Sequence, residues 1–179
     1  MKIKKLLSMV SIFAIISISG CDSINSLNTF PLNVPLSVEI NVAGNFQNIA
    51  QSGDICLDQS DTYQKYKDKI KNITFLQAAF RTLSVTPSNL SGNVTLKLED
   101  GNGNLLFNKN LGNIKPSDYI NTPYILPLTS QDIANINAYI SVTGNQCFNA
   151  TVTVTGLPGG SDQAIDVSID MVFQSDTKF

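Results

Sequence analysis

The sequence predicts an all-β domain: an antiparallel two-sheet, immunoglobulin-like β-sandwich of seven or eight strands with one or two short surface helices. Three observations point there. Apolar and polar residues alternate over many short stretches, the period of a half-buried strand. Clusters of Gly, Asn, Asp and Pro separate those stretches, as turns do. The connections vary in length and no fixed-period repeat is visible, which favours a sandwich over an up-and-down barrel, a propeller or a solenoid.

The elements follow in order. Leu36, Val38, Ile40 and Val42 alternate with Ser37, Glu39 and Asn41, giving a first strand. Ile55-Cys56-Leu57 ends a second extended segment. Ser60-Asp61 reads as a helix start, and Tyr63, Tyr66, Lys67 and Ile70 keep helical spacing to Lys71. Ile73 to Val85 reads as one long strand, bulged because neither parity is apolar throughout. Pro87 to Gly92 is a turn. Val94, Leu96 and Leu98 lead into Asp100-Gly101-Asn102-Gly103-Asn104 and then Leu105 to Lys109, the pattern of a hairpin. Pro123 to Leu128 is extended, and Thr129 or Ser130 caps a short helix reaching Ile136. Three closing strands are expected, carrying Ala138, Ile140 and Val142, then Phe148 to Val154, then Ile165 to Phe173.

The N-terminus reads as an address rather than as structure. Lys2, Lys4 and Lys5 precede an uncharged apolar run from Leu6 to Ile18. A bilayer-spanning helix needs about 20 residues, so this run has the proportions of a secretory signal core. It ends in Ile18-Ser19-Gly20-Cys21. That tetrad resembles the lipobox of bacterial lipoproteins. The resemblance covers residues 1–21. It implies that residues 1–20 are cleaved and that Cys21 becomes the lipidated first residue, carrying acyl chains such as palmitate. It also implies a chain held at the bacterial cell envelope through that lipid. Asp22 resembles an inner-membrane retention signal of enterobacterial lipoproteins. Other bacteria do not follow that rule, and the choice of inner or outer membrane stays open. Residues 21–33 read as the lipidated Cys and a flexible tether, and residues 34–179 as the single domain.

Composition excludes much chemistry. Among 179 residues there is no His and no Trp, while Asn reaches 19 and Ser 18. Without His there is no Ser-His-Asp or Cys-His catalysis and no His-ligated metal. Cleavage lowers Lys+Arg from 12 to 9 against 14 acids, so the net charge moves from −2 to −5. An acidic chain is repelled by phosphate backbones, and nucleic acid is not an expected partner. The lysines from Lys65 to Lys71, interrupted by Asp68, read as a solvated helix face.

Cys56 and Cys147 remain once Cys21 is lipidated. Outside the cytosol disulfides persist, and both residues take the outward parity of their strands, so a structural disulfide is expected. Asp100-Gly-Asn102-Gly-Asn104 spaces oxygen ligands as a calcium loop begins, but Leu105 and Leu111 stand where that pattern needs Gly and Glu. The turn reading is preferred, and no metal or cofactor is expected. Calcium held by Asp58, Asp61, Asp162 or Asp176 has no positive support. Glu39, Glu99 and Asp100 are the carboxylates that a hydrolase would use. Tyr63, Tyr66, Tyr119, Tyr124 and Tyr139 could form a sugar platform. Tyr139, at an outward parity, is the candidate ligand-surface residue. The expected function is therefore a non-catalytic, membrane-anchored lipoprotein with a structural, adhesion, assembly or protein-binding role. A glycan- or ligand-binding module is the alternative, and a carboxylate hydrolase the least favoured.

Overall fold

The computed structural model describes residues 29–178 apart from 143, 145, 160 and 161. The expected signal segment, Cys21 and residues 22–28 of the expected tether lie outside the described residues. Eight strands form: β1 (Thr29–Gly44), β2 (Asn48–Cys56), β3 (Ile70–Thr86), β4 (Gly92–Asp100), β5 (Leu105–Ile114), β6 (Tyr124–Ile125), β7 (Cys147–Thr155) and β8 (Gln163–Lys178). Two short helices accompany them, α1 (Asp61–Tyr66) and α2 (Ser130–Ile140).

All pairings are antiparallel and make two four-stranded sheets, β1-β8-β3-β6 and β2-β7-β4-β5. The partners are nested: β1 with β8, β2 with β7, β3 with β6 and β4 with β5. The chain is thus one long hairpin with its tip at the β4–β5 turn. Rolling that hairpin brings β8 against β3 and β7 against β4. This is the wiring of a jelly roll. The expected layering of two antiparallel sheets is present, but consecutive strands mostly change sheets, unlike the strand order of an immunoglobulin domain.

Alternation decides which side of each strand is buried. On β8, Ile165, Val167, Ile169, Met171 and Phe173 all face the other sheet and are buried. On β7, Phe148, Ala150, Val152 and Val154 do the same. The sheets meet through Phe148 stacked on Phe173 at 5.7 Å, with Phe75 edge-on to Phe173 at 5.5 Å. β3 carries register shifts at Ile70/Asn72, Phe75/Gln77 and Thr82/Ser84. Each shift inserts a residue and inverts the parity. Leu76 and Leu83 are the skipped residues at the second and third shifts, and both are exposed. Where β1 passes β2, a Cβ on Gly53 would lie 2.5 Å from Val38 Cγ2, so only glycine fits.

Three expectations are corrected. β1 begins at Thr29, so residues 29–33 of the expected tether pair with Gln174–Lys178. Polar composition and Pro31 suggested coil there. β1 lies at a sheet edge, where a proline without an N–H is tolerated, and Pro31 and Pro35 share one parity. α1 stops at Tyr66, Lys67–Lys69 form a 3-10 turn, and Ile70 already belongs to β3. Finally, no strand forms over Ala138–Val142, because α2 continues to Ile140. Thr129 caps that helix, and Ile136 and Ile140, four residues apart, are its buried residues. Ala138, Ile140 and Val142 alternate, but helical burial of Ile136 and Ile140 outweighs that pattern.

Candidate functional site

One end of the sandwich gathers most of the residues singled out from the sequence. There β2 ends, β7 begins, the β4–β5 turn closes, and α1 and α2 pack. Cys56 and Cys147 are directly opposite in the ladder and are bonded as a disulfide. Beside it, Cys56 N–H donates to Gln59 Oε1 at 3.0 Å. Leu57 N–H donates to Gln146 O at 2.7 Å, which extends the junction past the ladder.

Tyr139 lies on α2, not on a strand, and is half-buried. Its hydroxyl accepts from Gly101 N–H at 3.0 Å and donates to Cys147 O at 2.8 Å. Its ring meets Phe148 edge-on at 5.3 Å. One side chain therefore joins α2, the β4–β5 turn and the start of β7. The expected outward ligand residue is a bolt inside the fold.

The turn itself is organised by Asp100. Its Oδ1 accepts from the backbone N–H groups of Asn102 and Asn104, both at 2.8 Å, and its Oδ2 accepts from Asn104 Nδ2 at 2.8 Å. These bonds, first the Asn104 side chain, hold its carboxyl below the usual carboxylate range against an opposing push from burial. Gly103 supplies the positive φ of 84° that the turn needs. The carboxylate oxygens are thus used by the turn. Asp162 and Asp176 stand at opposite ends of β8, about 45 Å apart at strand rise, and cannot share an ion. Among the described residues, Cys56, Asp58 and Cys147 place three donor atoms within 4.8 Å of one another. Both sulfurs are consumed by the disulfide, which leaves one carboxylate.

The hydrolase carboxylates do not converge. Glu39 is exposed on the outer face of the β1-β8-β3-β6 sheet. Glu99 takes the outward parity of β4 in the other sheet and pairs with Lys97 at 3.0 Å. They point away from each other across the sandwich. On the face that carries Glu39, Asp170 accepts from Ser37 at 2.8 Å and Ser168 at 2.6 Å, with Arg81 at 3.5 Å. Ser84 donates to Asp166 on the same face.

The tyrosines do not make one platform. All five are half-buried. Tyr119 and Tyr124 form a three-ring cluster with Phe80 at centroid distances of 5.2 to 5.6 Å. Tyr66 lies under Lys65 Nζ, 5.2 Å from the ring centre. Burial pushes the Tyr63 hydroxyl up, with a smaller contribution from Asp58.

Two spaces remain. Between the sheets, apolar side chains including Ile40, Val42, Ile49, Val94 and Ile165 enclose a cavity of about 40 Å³. With no polar group in its wall, it offers no anchor for water or for a polar ligand. At the disulfide end, a cleft of about 260 Å³ runs between the α1–β3 junction and the end of α2. Lys67, Lys71 and Asn72 line it, above Leu57, Ile73 and Ile140. This cleft is not legible in the sequence, because its walls come from segments far apart in the chain. No helix among the described residues is long and apolar enough to cross a membrane.

No protein-family model matches the chain, and no curated protein matches it. Solved structures do resemble it. Turnip yellow mosaic virus aligns over 84% of this chain and 94% of the viral one, at 9% identity and a TM-score of 0.43. The BFDV capsid protein, solved as a 60-mer, covers 84% and 96% at 10% identity and a TM-score of 0.40. Against infectious bursal disease virus, strain Gx, the chain spans 32% of the viral protein's length at a TM-score of 0.34. Likeness of that degree assigns no family and no activity.

Proposed function

We propose that the mature chain is a lipid-anchored, non-catalytic lipoprotein of the bacterial cell envelope, serving as a structural, adhesion or assembly partner. The observation that carries this reading is Ile18-Ser19-Gly20-Cys21 behind a basic start and a short apolar core. The arrangement of the domain supports it. Its carboxylates are dispersed or engaged in turns and ladders, and the inter-sheet cavity is too small for a substrate. Two or three acyl chains on one residue give stable anchoring, whereas one chain is marginal.

Metabolic labelling with palmitate tests the anchor. The wild-type chain takes up label and partitions with detergent. Cys21→Ser takes up none and leaves the detergent phase. Equal labelling of the two proteins, or no labelling of either, overturns the reading.

A further inference from the structure

The lysines between residues 65 and 71 do not share a helix face. α1 ends at Tyr66, the chain makes a 3-10 turn, and β3 starts at Ile70. The side chains therefore fan around a corner, and Lys67 and Lys71 line the cleft at the disulfide end. Val142 stands at the rim of that cleft, 57% exposed.

The register places this corner beside the point where β1 begins. Thr177 of β8 is opposite Phe30 of β1 on one side and Ile70 of β3 on the other. Lys178 is opposite Thr29. Phe30 and Ile70 are thus two strand spacings apart, about 10 Å. Cys21 lies eight residues before Thr29. Eight residues span less than about 30 Å even when fully stretched. β1, at 16 residues, runs about 50 Å to the far end of the sandwich. An anchored Cys21 therefore keeps the lysine corner near the bilayer.

The charges at that corner differ from those of the whole domain. The ion pairs among the described residues engage Arg81, Lys97 and Lys109. Lys65, Lys67, Lys71 and Lys178 take part in none of them. Of the nearby acids, Asp58 lies beside Tyr63 and the disulfide, and Asp68 and Asp176 are interleaved with the lysines. Asp61 borders a different cleft, with Pro35 and Asp170. Asp54 and Asp100 belong to the other sheet and accept hydrogen bonds from Asn149 and Asn104. Screening over about 8 Å at physiological salt means that charges touching the membrane decide the interaction, not the net −5.

We infer that this end of the sandwich rests on the bilayer that holds the lipid. Lys67 and Lys71 take the phosphates of anionic headgroups in the cleft, and Val142 enters the interface. The inference rests on the lipid-anchor reading of Cys21. The shared chemistry is a phosphate, and the source is the lipid headgroup.

The test uses the lipidated mature protein in vesicles of phosphatidylcholine, with and without phosphatidylglycerol, followed by amide hydrogen exchange. Residues 63–73, 141, 142, 144 and 146 should exchange roughly 30-fold more slowly on the anionic vesicles, the order expected for two lysines at a charged surface. High salt and the double variant Lys67→Glu/Lys71→Glu should each remove the difference. Equal exchange on both vesicles by a protein carrying the lipid mass overturns the docking and leaves the anchor standing. Absence of lipid mass on the N-terminal peptide overturns the anchor itself, and the docking with it. The same protection from inorganic phosphate without vesicles overturns the headgroup as the source.

Discussion

At the residue scale, Asp100 shows how a motif can be legible while its distant partners are not. Asp100-Gly-Asn102-Gly-Asn104 reads correctly as a hairpin turn from its Gly and Asn content alone. The sequence does not show that Tyr139, 38 residues away, bonds to Gly101 in that turn. Parity assigned Tyr139 to an outward surface because a strand was assumed there, and the helix turns it inward. Asp100 also makes acid stability predictable. Its carboxyl titrates below the ordinary 3.8, chiefly because the Asn104 side chain donates to its charged form. A depressed folded value means that the stabilisation is in place above about pH 4 and is lost as pH falls through the folded value. Asp132 behaves alike: burial pushes its carboxyl up, but Lys109 and Thr129 bring it below its usual range overall. Melting temperatures across acid pH should therefore show wild type losing stability below about pH 4. Asp100→Asn should melt lower at neutral pH and should lose less on acidification, with the lowered carboxyl of Asp132 still contributing. Parallel curves for the two proteins would show that Asp100 is not a source of the acid sensitivity.

At the element scale, strands with strict alternation were readable and helix extents were not. β4 and β7 each bury one parity, and β8 does so with Ser168 the exception, so their alternation marks the core directly. β3 was legible as long and bulged, but the sites of its bulges follow from pairing with β8. α2 was placed at the correct cap and cut short. Its last turn carries Ala138 and Ile140 at a spacing that also suits a strand, and only packing of Ile136 and Ile140 decides between the two. The start of that helix is built twice over. Thr129 Oγ1 accepts from Asp132 N–H at 3.2 Å, and Thr129 N–H donates back to Asp132 Oδ2 at 2.7 Å. Asp132 also pairs with Lys109 of β5, tying the helix to the second sheet. Thr129→Ala should cost about 1 kcal/mol by urea unfolding, the usual worth of such a cap. Asp132→Ala should cost more, because it removes the tie to β5 as well. If the two variants unfold at the same urea concentration as wild type, the cap is not what holds α2.

At the scale of the whole molecule, the nested pairing makes the disulfide more than a local staple. Alternation reveals which face of a strand is buried but not which strand it meets. That is why two antiparallel sheets were legible and the rolled-hairpin order was not. In that order the partners of β1 are the most distant in the chain, with Thr29 opposite Lys178. Contacts of such separation are slow to form, because loop-closure entropy must be met before any pairing rewards it. Cys56–Cys147 joins β2 to β7, the next ring inward, across a separation of 91 residues. Once oxidised, the chain has that ring closed before folding starts. The chain-entropy model values the constraint at roughly 4–5 kcal/mol as an upper figure. The double variant Cys56→Ser/Cys147→Ser should therefore unfold at lower urea, and much of the loss should appear as slower refolding. Stopped-flow refolding of the oxidised protein and of the double variant separates the two effects. If refolding is unchanged and only unfolding accelerates, the β2–β7 ring closes after the rate-limiting step. The disulfide then protects the finished sandwich rather than guiding its assembly.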